Sequence, residues 1–470
     1  MNHASDFIEQ LKAMLGQGSY LDAPFDLEPF TRDWRGRTGA TPFVALPRTT
    51  EQVAMIVRLA NDANVPLVTQ GGHTGLVMGA LPQQEIILST RRLDKIRKIN
   101  AASDFVVAEA GVVLTRVQNA AQESDRLFPL SLAAEASATI GGLISTNAGG
   151  IAVLRYGMMR DLVFGLEVVL PDGRIWNGLR TLRKDNTGYD LKQLFMGAEG
   201  TLGVITAAAL KLFPRPAARV TAICALTDLD AVVKLLPIAK AISGDAVTGF
   251  ELIGRLGLEL VLEHIPNARA PFRALPEWTL LMEMSFGRED GAVATMEAVL
   301  AAAMEQDLLQ DAIIAQSDAQ ASAFWHLREN VSAAEKKIAR GVHHDISAPA
   351  GAVPELIRRA EQAATQLAPG ARFVAFGHAG DGNIHFTVKP SVSGGVTEAD
   401  LLAKHDEIQR SVHMAAMSLG GSISAEHGIG ALKRDELPNY KSPLEMEMMQ
   451  KLKRAFDPKG TLNPGRIVNA

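Results

Sequence analysis

The sequence predicts two α+β domains, and three observations carry that prediction. A chain of 470 residues exceeds what one hydrophobic core ordinarily organises. As far as Leu212, short apolar strand patterns alternate with helices and glycine-rich turns; beyond it, strands alternate with long Ala/Leu/Glu/Lys helices. Pro214 and Pro216 punctuate the change and place a boundary near residue 217. The domains therefore read as 1–217, with its core from about residue 38, and 218–415. Residues 416–470 read as a separate C-terminal segment.

In chain order, Phe7 to Leu15 reads as a short helix, followed by an irregular arm carrying proline and aromatic residues. Thr49, Thr50 and Glu51 open an apolar-periodic helix that runs through Ala63, with threonine as the N-cap. Val65–Thr69 is a short buried strand that leads into Gln70-Gly-Gly-His-Thr-Gly75. Ile86–Ser89, Phe105–Ala108 and Leu166–Leu170 read as further strands, the last ending in the turn Pro171-Asp-Gly173. A second glycine-rich stretch spans Ala138–Gly150, and a third, Met196–Gly203, precedes the strand Val204–Leu212. In the second domain the spacing predicts a helix over Ala321–Arg340 and a hairpin about Phe376–Val388. The end of the chain is a helix, a loop around Glu426-His427, a helix before Asp457-Pro458, and Asn463-Pro-Gly-Arg466. No internal repeat or low-complexity segment interrupts this order.

Composition excludes several classes. With 47% apolar and 21% charged residues the chain falls among soluble globular proteins. Its net charge of −5 and isoelectric point near 6.2 supply no basic field for nucleic acid or anionic lipid. Cys224 is the single cysteine, so a disulfide framework, a cysteine-ligated iron–sulfur cluster and a cysteine-rich zinc site within the chain are all ruled out. No apolar run approaches a membrane span, and the N-terminus has an early acidic residue, no apolar signal core and no arginine enrichment. The expectation is a cytoplasmic protein.

The glycine-rich turns suggest backbone approaching a ligand closely, since glycine leaves N–H groups free to ring an anion such as a pyrophosphate. Any one of them could equally be a tight turn between strands. No G-x-G-x-x-G or Walker A pattern is present, so a phosphate-bearing ligand would need a different cradle.

The hairpin Phe376-Gly-His378-Ala-Gly-Asp-Gly-Asn-Ile-His385-Phe-Thr-Val388 carries the strongest chemical signal. Ile384, Phe386 and Val388 alternate with His385 and Thr387, so one face is apolar and the other presents His385 and Thr387 to something polar. His378 stands at the end of the opposing strand, within reach of His385. Two imidazoles with the carboxylate of Ser424-Ala-Glu426-His427-Gly-Ile-Gly430 would leave open coordination positions, as catalytic metal sites do. On the residues alone, two unrelated buried histidines and a surface Glu-His pair remain an equal alternative.

Residues Pro47 to Pro216 closely resemble the FAD-binding domain of the vanillyl-alcohol-oxidase (PCMH-type) superfamily, in its D-lactate/D-2-hydroxyglutarate dehydrogenase branch. The resemblance is carried by Pro47-Arg-Thr-Thr50, Gln70–Gly75, Ile140-Gly-Gly142 with Thr146–Gly150, Leu182–Leu191 and Phe195–Ile205. It extends over the C-terminal half through the histidine hairpin and Glu426–Gly430. It implies a second domain with a mostly antiparallel sheet flanked by helices, and a C-terminal segment, 416–470, that returns to the FAD domain and completes the active site. It also implies FAD held by Gln70, Gly71, Gly72, His73, Thr74, Gly75, Thr139, Gly141, Gly142, Asn147, Gly149, Val204, Ile205 and Asn463. His73 is read as a non-covalent contact to the flavin rather than a point of attachment. The resemblance further implies a divalent metal on His378, His385 and Glu426, zinc first, with manganese or iron as alternatives, and His427 as the base that takes the substrate hydroxyl proton. Asp381 and Asn383 would orient the turn and the histidines.

The substrate implied is a D-2-hydroxy acid. Arg328 and Ser332 are four apart, so on one helix they share a face that could clamp a carboxylate; from the residues alone a solvated arginine on a charged helix is the favoured reading, and it is the family's Trp-x-x-Arg-Glu context, matched by Trp325–Glu329, that implies the clamp. D-2-hydroxyglutarate enzymes have Thr, Lys and Asn where this chain has Ser332, His343 and Thr387. Those departures weaken anchoring of a second carboxylate and leave D-lactate open beside D-2-hydroxyglutarate. The electron acceptor expected is a carrier other than NAD, such as an electron-transfer flavoprotein, a quinone or a cytochrome. A homodimer is compatible with the sequence. An oxygen-using oxidase and a non-catalytic flavoprotein subunit of a glycolate-oxidase-like complex are the rival readings.

Overall fold

A computed structural model describes residues 3–392 and 394–469. The chain divides into two compact units, one of Met1–Gly150, Gly157–Arg215 and Glu426–Ala470, the other of Ile151–Tyr156 and Pro216–Ala425. The change of unit at Arg215/Pro216 falls between the two prolines that marked it in sequence. The short segment Ile151–Tyr156, read in sequence as part of the first domain, belongs with the second unit because its helix Val153–Tyr156 packs on the strand Val247–Gly254. The second unit also continues past 415 to Ala425, where Ser422 bridges Ser347.

In the first unit, the helix Thr50–Ala63 starts where Thr49, in extended conformation, accepts a hydrogen bond from the Gln52 N–H through its side chain. It ends at Asn64, whose left-handed backbone lets its N–H cap the last carbonyls. The helix's Val53, Ile56, Val57 and Ala60 are buried with Phe7 and Leu11 of the helix His3–Leu15. They cover a four-stranded sheet in the order Tyr20–Leu21, Val44–Ala45, Ile86–Ser89, Leu67–Gln70, whose last three strands run parallel. A second sheet orders Ile96–Asn100, Phe105–Glu109, Val204–Lys211, Val163–Val169 and Ile175–Gly178, all antiparallel. The C-terminal tail closes against this unit, with Leu462 bridging Leu67.

The second unit is built on a seven-stranded antiparallel sheet in the order Leu309–Ile314, Ala218–Leu226, Trp278–Phe286, Val247–Gly254, Arg372–His378, Asn383–Lys389, Val342–Ser347. One face packs apolar residues such as Cys224, Leu252, Ile384 and Phe386 against helices including Val353–Leu367 and His405–Met417. The opposite face carries Ile223, Ile253, Leu281 and Phe376 under the helices Arg255–His264 and Asp318–Glu329. Toward one edge this second face turns polar. Cross-strand pairing sets Glu251 beside His378, His378 beside Asn383, His385 beside Asp345 and Thr387 beside His343. The alternation read from the hairpin thus describes a real division between two faces. Among the described residues no helix is long and apolar enough to cross a membrane.

Candidate functional site

In the first unit the strand Leu67–Gln70 delivers the loop 71–75 to a cavity of about 700 Å³. Glycine is required there by contact. A Cβ on Gly72 would lie 2.1 Å from the Ser137 carbonyl oxygen, one on Gly71 2.2 Å from Thr139 Oγ1, and one on Gly141 2.7 Å from the Ala110 Cβ. Of the residues expected to hold the cofactor, Gly71, Gly72, His73, Thr74, Gly75, Thr139, Gly141, Gly142, Gly149, Val204, Ile205 and Asn463 line this cavity. Gln70 and Asn147 do not. Gln70 is fully buried and spends its amide N–H groups on the carbonyls of Phe30 and Ala80, both at 3.0 Å, so it braces the loop from behind. Asn147 instead accepts the Arg160 N–H at 2.9 Å through its side chain, in a left-handed turn (φ 48°).

Asn463 ties the tail to the cavity wall. Its Oδ1 accepts the Thr69 N–H at 2.8 Å and its Nδ2 donates to the Glu199 carbonyl at 2.7 Å. His73 occupies a left-handed position (φ 58°), and its Nε2 is buried without a partner. Burial first, then the nearby Arg91 cation, holds its pKa below the ordinary histidine value, so the ring is neutral.

Glu426 and His427 line the same cavity. Their loop is shaped by Gly428 (φ 84°) and Gly430 (φ 56°) and is held by Glu199, whose carboxylate accepts the N–H groups of Ile429 and Gly430, each at 2.8 Å. Glu199 also lines the cavity, and burial raises its pKa to about 7 against the pull of those two N–H groups and of Lys433 and Arg466. Sequence reasoning passed over it. The one available signal was a carboxylate inside the glycine-rich run Met196–Gly203. His427 Nε2 and Glu426 Oε1 stand 3.8 Å apart, beyond hydrogen-bond length.

The second unit gathers the other predicted residues on the polar part of its sheet. The rings of His378 and His385 lie 6.0 Å apart between centroids, edge to face. His378 Nδ1 is 2.6 Å from Oε1 of Glu251, while Arg328 donates Nε and Nη2 to Oε2 at 2.8 and 2.7 Å. Glu251 is a further residue that the sequence did not disclose. Burial pushes its pKa up, but His378 and Arg328 outweigh it and hold the carboxyl at about 2. Asp345 accepts Asn383 Nδ2 at 2.9 Å and lies 3.9 Å from His385 Nδ1. Burial raises Asp381 to about 6, and its Oδ1 accepts the Asn383 N–H.

The remaining substrate candidates are arranged differently from expectation. The single helix expected over 321–340 is two, Asp318–Glu329 and Val331–Glu335, because Asn330 turns its amide back onto the His326 carbonyl at 2.9 Å. Arg328 is buried while Ser332 is exposed, so the two do not share one face. His343 Nδ1 lies 3.0 Å from Thr387 Oγ1 and 3.3 Å from Glu335 Oε1. Thr387 is buried in this cluster.

Comparison with known proteins agrees with this architecture. The FAD binding domain family matches residues 41–178, and the family described as FAD linked oxidases, C-terminal domain, matches 215–467. A mitochondrial D-2-hydroxyglutarate dehydrogenase of Arabidopsis thaliana is 34% identical over 463 residues, covering 98% of this chain and 81% of the relative. A D-2-hydroxyglutarate dehydrogenase of Xanthomonas citri pv. viticola is 37% identical, covering 94% and 93%. Among solved structures, p-cresol methylhydroxylase with bound substrate shares the fold, with a TM-score of 0.76 at 16% identity, over 99% of this chain and 97% of that one. The expected cytoplasmic location is corrected by these relatives. The Arabidopsis thaliana enzyme, like the one from Bos taurus, is named mitochondrial, so the cytoplasmic expectation does not stand. The N-terminal residues that suggested otherwise speak only for the sequence given. The chain belongs to the FAD-linked oxidase family, in the branch of the D-2-hydroxy-acid dehydrogenases, and is an FAD-dependent oxidoreductase.

Proposed function

We propose that the chain oxidises D-2-hydroxyglutarate, with D-lactate as the competing substrate, to the 2-oxo acid, with a divalent ion assisting and electrons leaving to a carrier other than NAD. The observation that carries the reading is that Glu426 and His427 stand in the wall of the cavity whose glycines leave room for a dinucleotide. The names of the relatives support D-2-hydroxyglutarate as the acid.

FAD, when bound, supplies the acceptor for the hydride that leaves the substrate α-carbon. A divalent ion, zinc before manganese or iron, would supply Lewis acidity at the α-hydroxyl. His378, His385 and Glu426 are its proposed ligands, and their donor set of two imidazoles and a carboxylate suits such an ion. His378 fits the role in one further respect, because its Nδ1 is committed to Glu251 and coordination falls to Nε2. His427 takes the hydroxyl proton at its ring nitrogen, so that proton and hydride leave together and the α-carbon becomes a carbonyl. The loop 71–75, Thr139 and Asn463 hold the cofactor. Arg328, with N–H groups beyond the two given to Glu251, binds the substrate carboxylate. His343 and Thr387 set the far end of the pocket, and the exposed Ser332 is its outermost candidate.

The test is anaerobic bleaching of the bound flavin by D- and L-2-hydroxyglutarate, D- and L-lactate and D-malate, with and without chelator. Bleaching by a D-acid alone, abolished by chelator, is the expected result and names the substrate. Equal bleaching with chelator present overturns the metal. Yellow protein that no 2-hydroxy acid reduces overturns the function and favours a non-catalytic flavoprotein subunit.

A further inference from the structure

Glu251 is a carboxylate in a strand, Val247–Gly254, whose residues are all buried. It is 1% exposed, and a charge in that position is retained only where it is paired and hydrogen-bonded. Its two oxygens divide the work. Oε1 faces Nδ1 of His378 at 2.6 Å, and Oε2 takes both Nε and Nη2 of Arg328, at 2.8 and 2.7 Å. Strand pairing sets Glu251 directly opposite His378, so the first contact is fixed by the sheet itself. Arg328 arrives from the last turn of the helix Asp318–Glu329 and lies over the Phe376 ring, 4.9 Å from its centroid.

From this geometry we infer that Glu251 is a positioning residue that sets His378 as a metal ligand and Arg328 as a carboxylate binder through one shared carboxylate. The bond to Oε1 places the His378 proton on Nδ1 and leaves the Nε2 lone pair for coordination. A carboxylate behind a ligating imidazole also makes it the stronger donor. The same carboxylate prevents the Arg328 guanidinium from swinging, so the residue for the substrate's anionic end and the ligand for the ion under its hydroxyl are set at a fixed separation. The inference rests on the proposed reading of His378 as a ligand.

The experiment measures zinc affinity of the full-length, FAD-loaded protein by competition with a chromophoric chelator, for wild type, Glu251→Gln, and the double variant Glu251→Gln with Arg328→Gln. Flavin content is recorded alongside and is expected to be unchanged. Glu251→Gln is expected to bind zinc roughly 10- to 100-fold more weakly. Because it leaves the Arg328 cation buried and unpaired, it is also the variant most prone to misfold, and the double variant removes that charge. Weak zinc binding retained in the folded double variant supports the positioning role. Wild-type affinity in either variant overturns it and reduces Glu251 to a counter-ion for Arg328. A wild-type protein that takes up no zinc, manganese or iron overturns both the inference and the metal part of the proposed function, whereas loss confined to the variants leaves the function standing.

Discussion

Replacing Glu199 with glutamine isolates the cost of placing a carboxylate under the loop that carries His427. Burial lifts the Glu199 pKa from 4.5 to about 7, although it accepts two backbone N–H groups. A group raised in the folded state contributes stability in full below its unfolded pKa and loses it as pH rises through the folded value. The window here runs from about 4.5 to about 7. Across it, a displacement of that size is worth about 3 kcal/mol. At pH 4, below the unfolded pKa of 4.5, the protonated side chain presents one carbonyl oxygen, as glutamine does, so wild type and Glu199→Gln should unfold close together. At pH 8 wild type must bury an anion that glutamine does not, and the variant should be the more stable by about 3 kcal/mol. At about 2–4 °C per kcal/mol for a unit of this size, the separation is on the order of 6–12 °C. Thermal unfolding of the flavin-free protein at the two pH values measures it. Other titrating groups, such as Asp381, are present in both proteins and cancel in the difference. Melting curves that shift in parallel between pH 4 and 8 would refute the argument, because they would show that Glu199 is no harder to ionise folded than unfolded.

Three further outcomes follow from the same geometry. Gly72→Ala should lose bound FAD, since its Cβ would meet the Ser137 carbonyl oxygen at 2.1 Å; a full complement of flavin in the purified variant would show that the cradle has slack. Lys453→Met should lower stability by about 3–5 kcal/mol, because Asp457, 0% exposed, loses its 2.6 Å partner, with thermal unfolding as the check. His427→Asn should slow anaerobic flavin reduction by roughly 10²- to 10⁴-fold while leaving flavin content unchanged, and a rate near that of wild type would assign the base elsewhere.

What could be read from the sequence was what depends on near neighbours. The helix from Thr50 to Ala63 was legible because its cap lies three residues from the N–H it accepts. The histidine hairpin was legible because strand alternation separates Phe386 from His385 whatever else the chain does. The glycine loops could be located, but the reason for each glycine could not, since the atoms that forbid a Cβ belong to Ser137, Thr139 and Ala110. Glu251 escaped notice for the same reason: in sequence it is one carboxylate in an apolar strand, and its partners lie 77 and 127 residues away. The helix over 321–340 misled in the opposite way. Its residues favour helix locally, and the break at Asn330 comes from a side chain bonding back to His326. That break matters for function, because it leaves Ser332 exposed while Arg328 is drawn into the sheet by Glu251. A carboxylate-binding arginine therefore cannot be assigned here from helix spacing alone. Its orientation is set by the same buried acid that orients a histidine on another strand, so specificity for the acid and affinity for the ion are expected to change together when either is altered.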